Sequence, residues 1–241
     1  PIMVELCNPA LKEEHWLKIF DGLGKRLTPA ETRTFETLRV HKVFDDENQE
    51  MISTISGVAT GEYSLLNQVN KIAMLWDKTD FILAKNRETE SMMVLGGLDE
   101  ILLQLEDNQV QVQTCLACRY VGGIKQLVEE WDEKLQLIAD VLDEWVNVQK
   151  SWMYLEFIFS SDDIKKQLPD ESKKFANVDK VFRTLMTKTQ ATNNVALVCT
   201  EEGLLDQLKI CNFNLDQIQK KLEDYLETKR VAFPRFYFLS N

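Results

Sequence analysis

Two cysteines, Cys115 and Cys118, have the spacing that structural zinc sites and thioredoxin-like redox sites share. A structural zinc site needs four ligands, and the sequence contains no second CxxC and no HxxxH to supply the others. A redox pair of this kind belongs to a βαβ context, whereas these two thiols lie in a pattern typical of a helix. We therefore interpret both as ordinary helix cysteines, with a redox or metal role as the alternative.

A short stretch at residues 22–26, with the sequence GLGKR, is the nearest match to a phosphate-binding loop. Such a loop needs a longer glycine-rich turn and a lysine followed by serine or threonine. Here the turn is too short and the lysine is followed by Arg26, so we interpret the stretch as the glycine end of a helix with a basic last turn. We predict that this chain itself hydrolyses no nucleotide and holds no cofactor.

The two histidines, His15 and His41, lie on separate predicted helices. Either could act as the base for a nucleophile, but no spacing in the sequence pairs one with an acid or a thiol. The pattern favours a packed or surface position for both, and the many Asp and Glu pairs lie on polar helix faces, where they are solvated. We therefore predict no catalytic residue and no metal ligand.

Charge and composition narrow the classes of partner. The chain of 241 residues carries 28 Lys and Arg against 39 Asp and Glu, a net charge of −11. This acidity argues against binding to nucleic acid or to an anionic membrane. No apolar run approaches the roughly 18 residues of a membrane span. The five cysteines are typical of reduced intracellular thiols and do not suggest a disulfide framework.

Apolar residues recur in steps of three and four, the spacing of one helical face, over three long stretches. These stretches are residues 51–76, 124–156 and 201–230. Shorter helices are predicted at residues 12–22, 29–42, 98–119 and 169–189. Two short apolar runs around a polar turn predict a β-hairpin near residues 81–95. The predicted fold class is therefore all-α: an elongated, rod-like multi-helix bundle with long helices and one small β-hairpin.

Polar and glycine-containing interruptions at residues 121–123 and 189–200 are the candidate breaks along the chain. We expect an N-terminal helical subdomain at residues 1–120, which includes the hairpin, and a C-terminal helical bundle at residues 121–241. We expect both to be parts of one fragment of a larger chain.

Five aromatic residues lie within 15 positions at the end of the second long helix and just beyond it, and most of them are expected in the core. They are Trp145, Trp152, Tyr154, Phe157 and Phe159. Tyr154 and Phe157 lie off the apolar seam, so they are candidates for a surface on which another domain docks. Phe236 belongs to the aromatic C-terminal stretch, which we expect to pack against further chain.

Two of these stretches resemble a known family. Residues 149–164, QKSWMYLEFIFSSDDI, and residues 233–241, FPRFYFLSN, together resemble the linker region of dynein heavy chains, called N-terminal region 2. The opening residues resemble the start of that region in axonemal rather than cytoplasmic dyneins; they are Asn8, Pro9, Ala10, His15 and Trp16. The resemblance covers essentially the whole chain.

The resemblance implies a mechanical role. The linker lies across a ring of six AAA+ modules in the same heavy chain, and it bends and straightens to give the ATP-driven, minus-end-directed power stroke along microtubules. ATP and Mg would lie in that ring of the parent chain, which would be the microtubule-stimulated ATPase, while this fragment would be non-catalytic and without a cofactor. Docking on the ring would involve Tyr154, Phe157 and Phe236.

The resemblance also implies partners and a location. Intermediate and light chains would bind through the tail of the parent chain, microtubules through its stalk, and no nucleic acid or membrane is expected. The location would be the axoneme of a cilium or flagellum, with the cytoplasm as the alternative.

Four glycines are the candidate flexing points of the linker: Gly57, Gly61, Gly122 and Gly123.

A spectrin-like or coiled-coil scaffold without motor activity is the competing interpretation. It explains the long helices and the acidity equally well. It does not explain residues 149–164 or 233–241.

Overall fold

A computed structural model of the chain describes residues 2–25, 34–86 and 92–232. Within these residues the chain forms ten helices and one antiparallel pair of strands. In chain order they are α1 (Ile2–Leu6), α2 (Glu13–Gly22), α3 (Phe35–Val40), α4 (Gln49–Trp76), β1 (Ile82–Lys85), β2 (Met93–Gly96), α5 (Leu98–Leu116), α6 (Lys125–Phe159), α7 (Asp162–Gln167), α8 (Pro169–Ala191), α9 (Val195–Cys199) and α10 (Leu204–Ala232). Short 3₁₀ turns at Asp46–Asn48 and Gly122–Ile124 precede α4 and α6. The predicted all-α class with one small β-hairpin is confirmed.

The three long helices follow the apolar periodicity closely. Helices α4, α6 and α10 contain 28, 35 and 29 residues, and each begins and ends within three residues of its predicted bounds. Their apolar seams are buried, as Leu135, Leu142 and Trp145 of α6 illustrate with no exposed surface. Helix stability here comes from burial of one apolar face, which is why the sequence pattern places these elements well.

Three short helices were not predicted, because five or six residues are too few to reveal a period of 3.6. They are α1, α7 and α9. Helix α9 lies inside the predicted break at residues 189–200, where the Asn194 side chain accepts a hydrogen bond from the Leu197 N–H at 2.9 Å. Helix α3 covers the C-terminal part of the helix predicted at residues 29–42; residues 26–33 lie outside the described residues.

The described residues group into two compact units, each built from two stretches of the chain. The first unit comprises Pro1–Met74 and Val110–Asp132. Its core includes Ile19, Phe20 and Ile52, with Leu38 and Val43 packed among them. Helices α1 and α2 therefore bury their apolar faces against the first part of α4.

The second unit comprises Leu75–Gln109 and Glu133–Asn241. Aromatic rings join α6 to α8 in its core. The ring centroids of Trp152 and Phe182 are 4.9 Å apart, and those of Phe159 and Phe175 are 5.3 Å apart and stacked. Helix α10 packs along α8 and presents a buried stripe that includes Leu215.

The hairpin belongs to the second unit, and its strands pair with Ile82 opposite Gly96 and Lys85 opposite Met93. Residues 87–91, between the strands, are not among those described. No helix in the described ranges is long and apolar enough to cross a membrane. The expected division of the linker at residues 120 and 121 stays a prediction.

Candidate docking surface

The two aromatic residues predicted to dock lie on the outer face of α6, close to its C-terminal end. Tyr154 is 47% exposed and Phe157 is 67% exposed, and their spacing of three residues places them on one face of the helix. On the opposite side Trp152 and Leu155 have no exposed surface. The third predicted residue, Phe236, lies outside the described residues. The structure thus brings Tyr154 and Phe157 together as an exposed aromatic pair.

The end of α6 that carries this pair is held by a polar network from α8. The indole Nε1 of Trp152 donates to Asp179 Oδ1 at 3.0 Å, and Arg183 Nε donates to the same carboxylate at 2.8 Å. Arg183 also reaches Glu156 at 3.4 Å and lies over the Trp152 ring at 5.5 Å from its centroid. One carboxylate therefore fixes both an indole and a guanidinium, which anchors α6 directly beneath its exposed aromatic pair.

Gln149 of α6 binds the free edge of the hairpin. Its Oε1 accepts the Leu95 N–H at 2.8 Å, and its Nε2 donates to the Leu95 carbonyl at 2.9 Å. The Asn86 N–H donates to the Met92 carbonyl at 2.9 Å, so these two opposite residues form a hydrogen-bonded pair. Hydrogen-bonded and non-hydrogen-bonded pairs alternate along antiparallel strands, so Leu95, opposite Leu83, belongs to a non-hydrogen-bonded pair. The backbone N–H and C=O of Leu95 therefore point away from β1. The side-chain amide of Gln149 thus supplies the two hydrogen bonds that a third strand would have made.

Asn194 joins α9 to the end of α4. In addition to capping α9, its Nδ2 donates to the Trp76 carbonyl at 3.0 Å and to the Thr79 carbonyl at 3.2 Å. The Trp76 indole Nε1 in turn donates to Asn108 Oδ1 of α5 at 2.9 Å, and both of these side chains are buried. Two asparagines therefore fix the C-terminal end of α4 in the second unit.

In the first unit, a buried His–Glu pair connects α2 to α4. His15 Nδ1 accepts the Lys12 N–H at 3.1 Å, so the proton lies on Nε2, which donates to Glu62 Oε2 at 3.1 Å. Both side chains are nearly fully buried. Sequence spacing alone did not pair them. The sequence feature that could have indicated this pair is Glu62, a charged residue in the apolar seam of α4. Asn108 and Gln149 interrupt the seams of α5 and α6 in the same way.

The four candidate flexing points fall into two kinds. A Cβ on Gly61 would lie 2.4 Å from Tyr120 Cγ, and a Cβ on Gly123 would lie 2.7 Å from Glu62 Oε2. A Cβ on Gly57 or on Gly122 would meet no described atom within 4 Å. A Cβ at Gly61 or Gly123 would therefore need a shift of Tyr120 or Glu62, whereas a Cβ at Gly57 or Gly122 would have open space. A flexing role at the four positions stays a prediction.

The cysteines are free thiols. Burial, with the neighbouring Cys118 as a second cause, raises the pKa of the Cys115 thiol, and the thiol donates weakly to Gln68 at 3.6 Å. A raised pKa disfavours the thiolate, which is the form that binds metals and reacts with oxidants. In the described part of the chain, no three His, Cys, Asp or Glu side chains are placed to hold a metal ion.

Comparison with known proteins identifies the family. The whole chain, residues 1–241, matches the sequence profile of dynein heavy chain, N-terminal region 2. Over 242 residues it is 42% identical to dynein axonemal heavy chain 6 of Homo sapiens. It is 39% identical to dynein axonemal heavy chain 2 of Homo sapiens and 36% identical to dynein axonemal heavy chain 1 of Mus musculus, each over 241 residues.

Each alignment covers the whole of this chain but only 5% or 6% of the relative. The chain belongs to the dynein heavy chain family and corresponds to its N-terminal region 2. Its relatives are axonemal dynein heavy chains, which confirms the predicted axonemal branch of the family and supports the predicted location in the axoneme of a cilium or flagellum. These matches favour a dynein heavy chain segment over a spectrin-like scaffold.

Proposed function

We propose that this chain is the linker of an axonemal dynein heavy chain, a mechanical segment that bends and straightens over an AAA+ ring and carries the power stroke along microtubules. The observation that carries the proposal is α6. This helix of 35 residues is about 50 Å long, and the Trp152–Asp179–Arg183 network anchors the end that exposes Tyr154 and Phe157. A long helix anchored beneath an exposed aromatic pair is suited to transmitting force to a docking partner.

The docking partner in this proposal is the AAA+ ring of the same heavy chain. An aromatic pair offers a large apolar contact area, and aromatic residues are enriched where interfaces derive most of their binding energy. Phe236 is proposed to belong to the same interface. ATP and Mg are proposed to bind in the ring and microtubules to bind at the stalk, so this segment would contribute movement but no catalysis. Intermediate and light chains are proposed to bind the tail of the parent chain.

The test replaces both aromatic side chains, Tyr154→Ala with Phe157→Ala, in the full-length heavy chain. ATP turnover and microtubule gliding velocity are then measured side by side. We expect gliding velocity to fall severalfold more than ATP turnover, because a linker that loses its docking contact transmits less of each ATP cycle as movement.

A matched control uses Asn147→Ala with Lys150→Ala, which lie on the same exposed face of α6 one to two turns earlier. This control should leave the ratio of gliding velocity to ATP turnover unchanged. Equal ratios for the aromatic variant, the control and the wild type would refute the docking role.

A further inference from the structure

An open groove lies between α8 and α10 in the described part of the second unit. It consists of two adjoining hollows of about 580 Å³ and 450 Å³ that share four lining residues: Asn177, Val181, Gly203 and Gln207. Each wall extends over 11 residue steps, from Asn177 to Lys188 on one side and from Gly203 to Asn214 on the other. This corresponds to about 16 Å, or three turns of a helix.

The floor of the groove is apolar and partly exposed. Val181 of α8 is half-buried, whereas Ile210 of α10 is 61% exposed. Large apolar side chains that face an open groove are typical of a surface that binds a partner.

The two walls of the groove carry opposite charges. The charged lining residues from α8 are Lys180 and Lys188, both basic. Those from α10 and the turn before it are Glu201, Glu202 and Asp206, all acidic. The pair between Lys188 Nζ and Glu201 Oε1, at 2.8 Å, crosses one end of the groove, but both side chains are largely exposed, so the pair contributes little to stability.

We propose that this groove binds an amphipathic helix of another protein, about three turns long, with acidic residues on one flank of its apolar stripe and basic residues on the other. Helices α8 and α10 have no free backbone edge to pair with a strand, whereas an open groove between two helices accepts the ridge of a third. The acidic flank lies against the lysines of α8, and the basic flank lies against the acidic residues of α10.

The charged walls also set the direction of the bound helix. A helix that is turned end over end on the same surface exchanges its two flanks, and each flank would then face a wall of its own charge. The partner is therefore recognised by having flanks of opposite charge, and its polarity follows from which flank faces α8. This proposal is independent of the lever role proposed for α6.

The probes are two synthetic helical peptides of 14 residues with the same leucine stripe. The first has glutamates on one flank and lysines on the other, and the second has lysines on both flanks. Binding of each peptide to the full-length heavy chain is measured by fluorescence anisotropy at low salt. We expect the first peptide to bind about tenfold more tightly than the second, because the second places one lysine flank against the lysines of α8.

Reversing the basic wall should reverse this preference. With Lys180→Glu and Lys188→Glu both walls are acidic, so the second peptide should bind about tenfold more tightly than the first. The matched control, Lys220→Glu with Lys221→Glu, makes the same change in charge on α10 outside the groove lining and should keep the wild-type order. An unchanged preference in the groove variant would overturn the proposal.

The apolar floor has its own test. Ile210→Asp should weaken binding of the first peptide at least tenfold, because it places a charge against the leucine stripe. Val231→Asp is the control, since Val231 is 66% exposed on the same helix and lies outside the groove lining. The proposal is also wrong if neither peptide binds the wild-type chain, as would happen if the ring or a second copy of the chain covered the groove.

Discussion

At the residue scale, Gly123 lies close to the buried carboxylate of Glu62. Glu62 Oε2 accepts the Nε2–H of His15, and the same oxygen is the atom nearest to the position that a Cβ on Gly123 would take. A buried carboxylate has a high cost when it loses its hydrogen-bond partner. The glycine therefore protects the His15–Glu62 pair by leaving room for the carboxylate.

This arrangement predicts that Gly123→Ala destabilises the chain. The added Cβ would lie 2.7 Å from Glu62 Oε2, so the carboxylate must shift, and the oxygen that shifts is the one that accepts from His15. We expect the free energy of unfolding to fall by about 2 kcal/mol, measured by urea denaturation.

The neighbouring glycine is the matched control for this variant. Gly122→Ala adds the same atom where no described residue lies within 4 Å, so its effect should stay within about 0.5 kcal/mol. Equal losses for Gly122→Ala and Gly123→Ala would mean that the contact with Glu62 is not the cause.

A second prediction at this scale concerns thiol reactivity. Burial raises the pKa of the Cys199 thiol from its ordinary value of 9.0 to about 12, whereas Cys7 is exposed. Iodoacetamide at pH 8 should therefore alkylate Cys7 in the native chain and leave Cys199 unmodified until the chain is unfolded, as peptide mass spectrometry can measure. Alkylation of Cys199 at the rate of Cys7 would contradict its burial.

The same raised pKa gives the direction of a pH effect. Below pH 9.0 the Cys199 thiol is neutral in the folded and the unfolded chain, so the stability linked to it is fully present. Between pH 9.0 and about 12 only the unfolded chain ionises there, so the free energy of unfolding falls by up to about 1.4 kcal/mol per pH unit. The variant Cys199→Ala should lack this part of the alkaline loss.

At the scale of elements, the hairpin depends on a helix for its edge. A two-stranded hairpin is marginal alone, and an exposed edge leaves peptide groups without partners. Gln149 of α6 satisfies both backbone groups of Leu95. This contact explains why a polar residue occupies a seam position in an otherwise apolar stripe.

The prediction for this contact is that Gln149→Leu loosens β2. Two peptide groups would lose their partners, which costs about 2 kcal/mol in local stability and accelerates amide exchange roughly 30-fold. Hydrogen–deuterium exchange of the peptide that contains Leu95 is the measurement. Gln136→Leu is the control, because this exposed residue of α6 bonds only to Asp140 among the described residues. Unchanged exchange in Gln149→Leu would refute the edge contact.

At the scale of the whole molecule, the sequence predicts the elements whose apolar residues recur at the spacing of one buried face. The three long helices, the hairpin and the all-α class follow from apolar spacing, and exposure of Tyr154 and Phe157 follows from their position off the seam of α6. Family membership follows from two short stretches of specific residues. These features are local in the sequence, so no knowledge of the tertiary structure is needed to find them.

The remaining features depend on residues that are far apart along the chain. His15 and Glu62 are separated by 47 positions, and Leu95 and Gln149 by 54. Asn194 contacts Trp76 across 118 positions. Periodicity marks a polar residue in a seam as an exception but does not name its partner, because the partner is set by which helices pack together.

The indole bond between Trp76 and Asn108 has a mechanical consequence. Sliding α4 by one turn along α5 would separate Trp76 Nε1 from Asn108 Oδ1 by about 5.4 Å. It would leave a buried donor and a buried acceptor without hydrogen-bond partners. A purely apolar contact would tolerate such a slip at a smaller cost, because one methyl group can replace another. The polar residues in the seams therefore hold neighbouring elements at a single axial position.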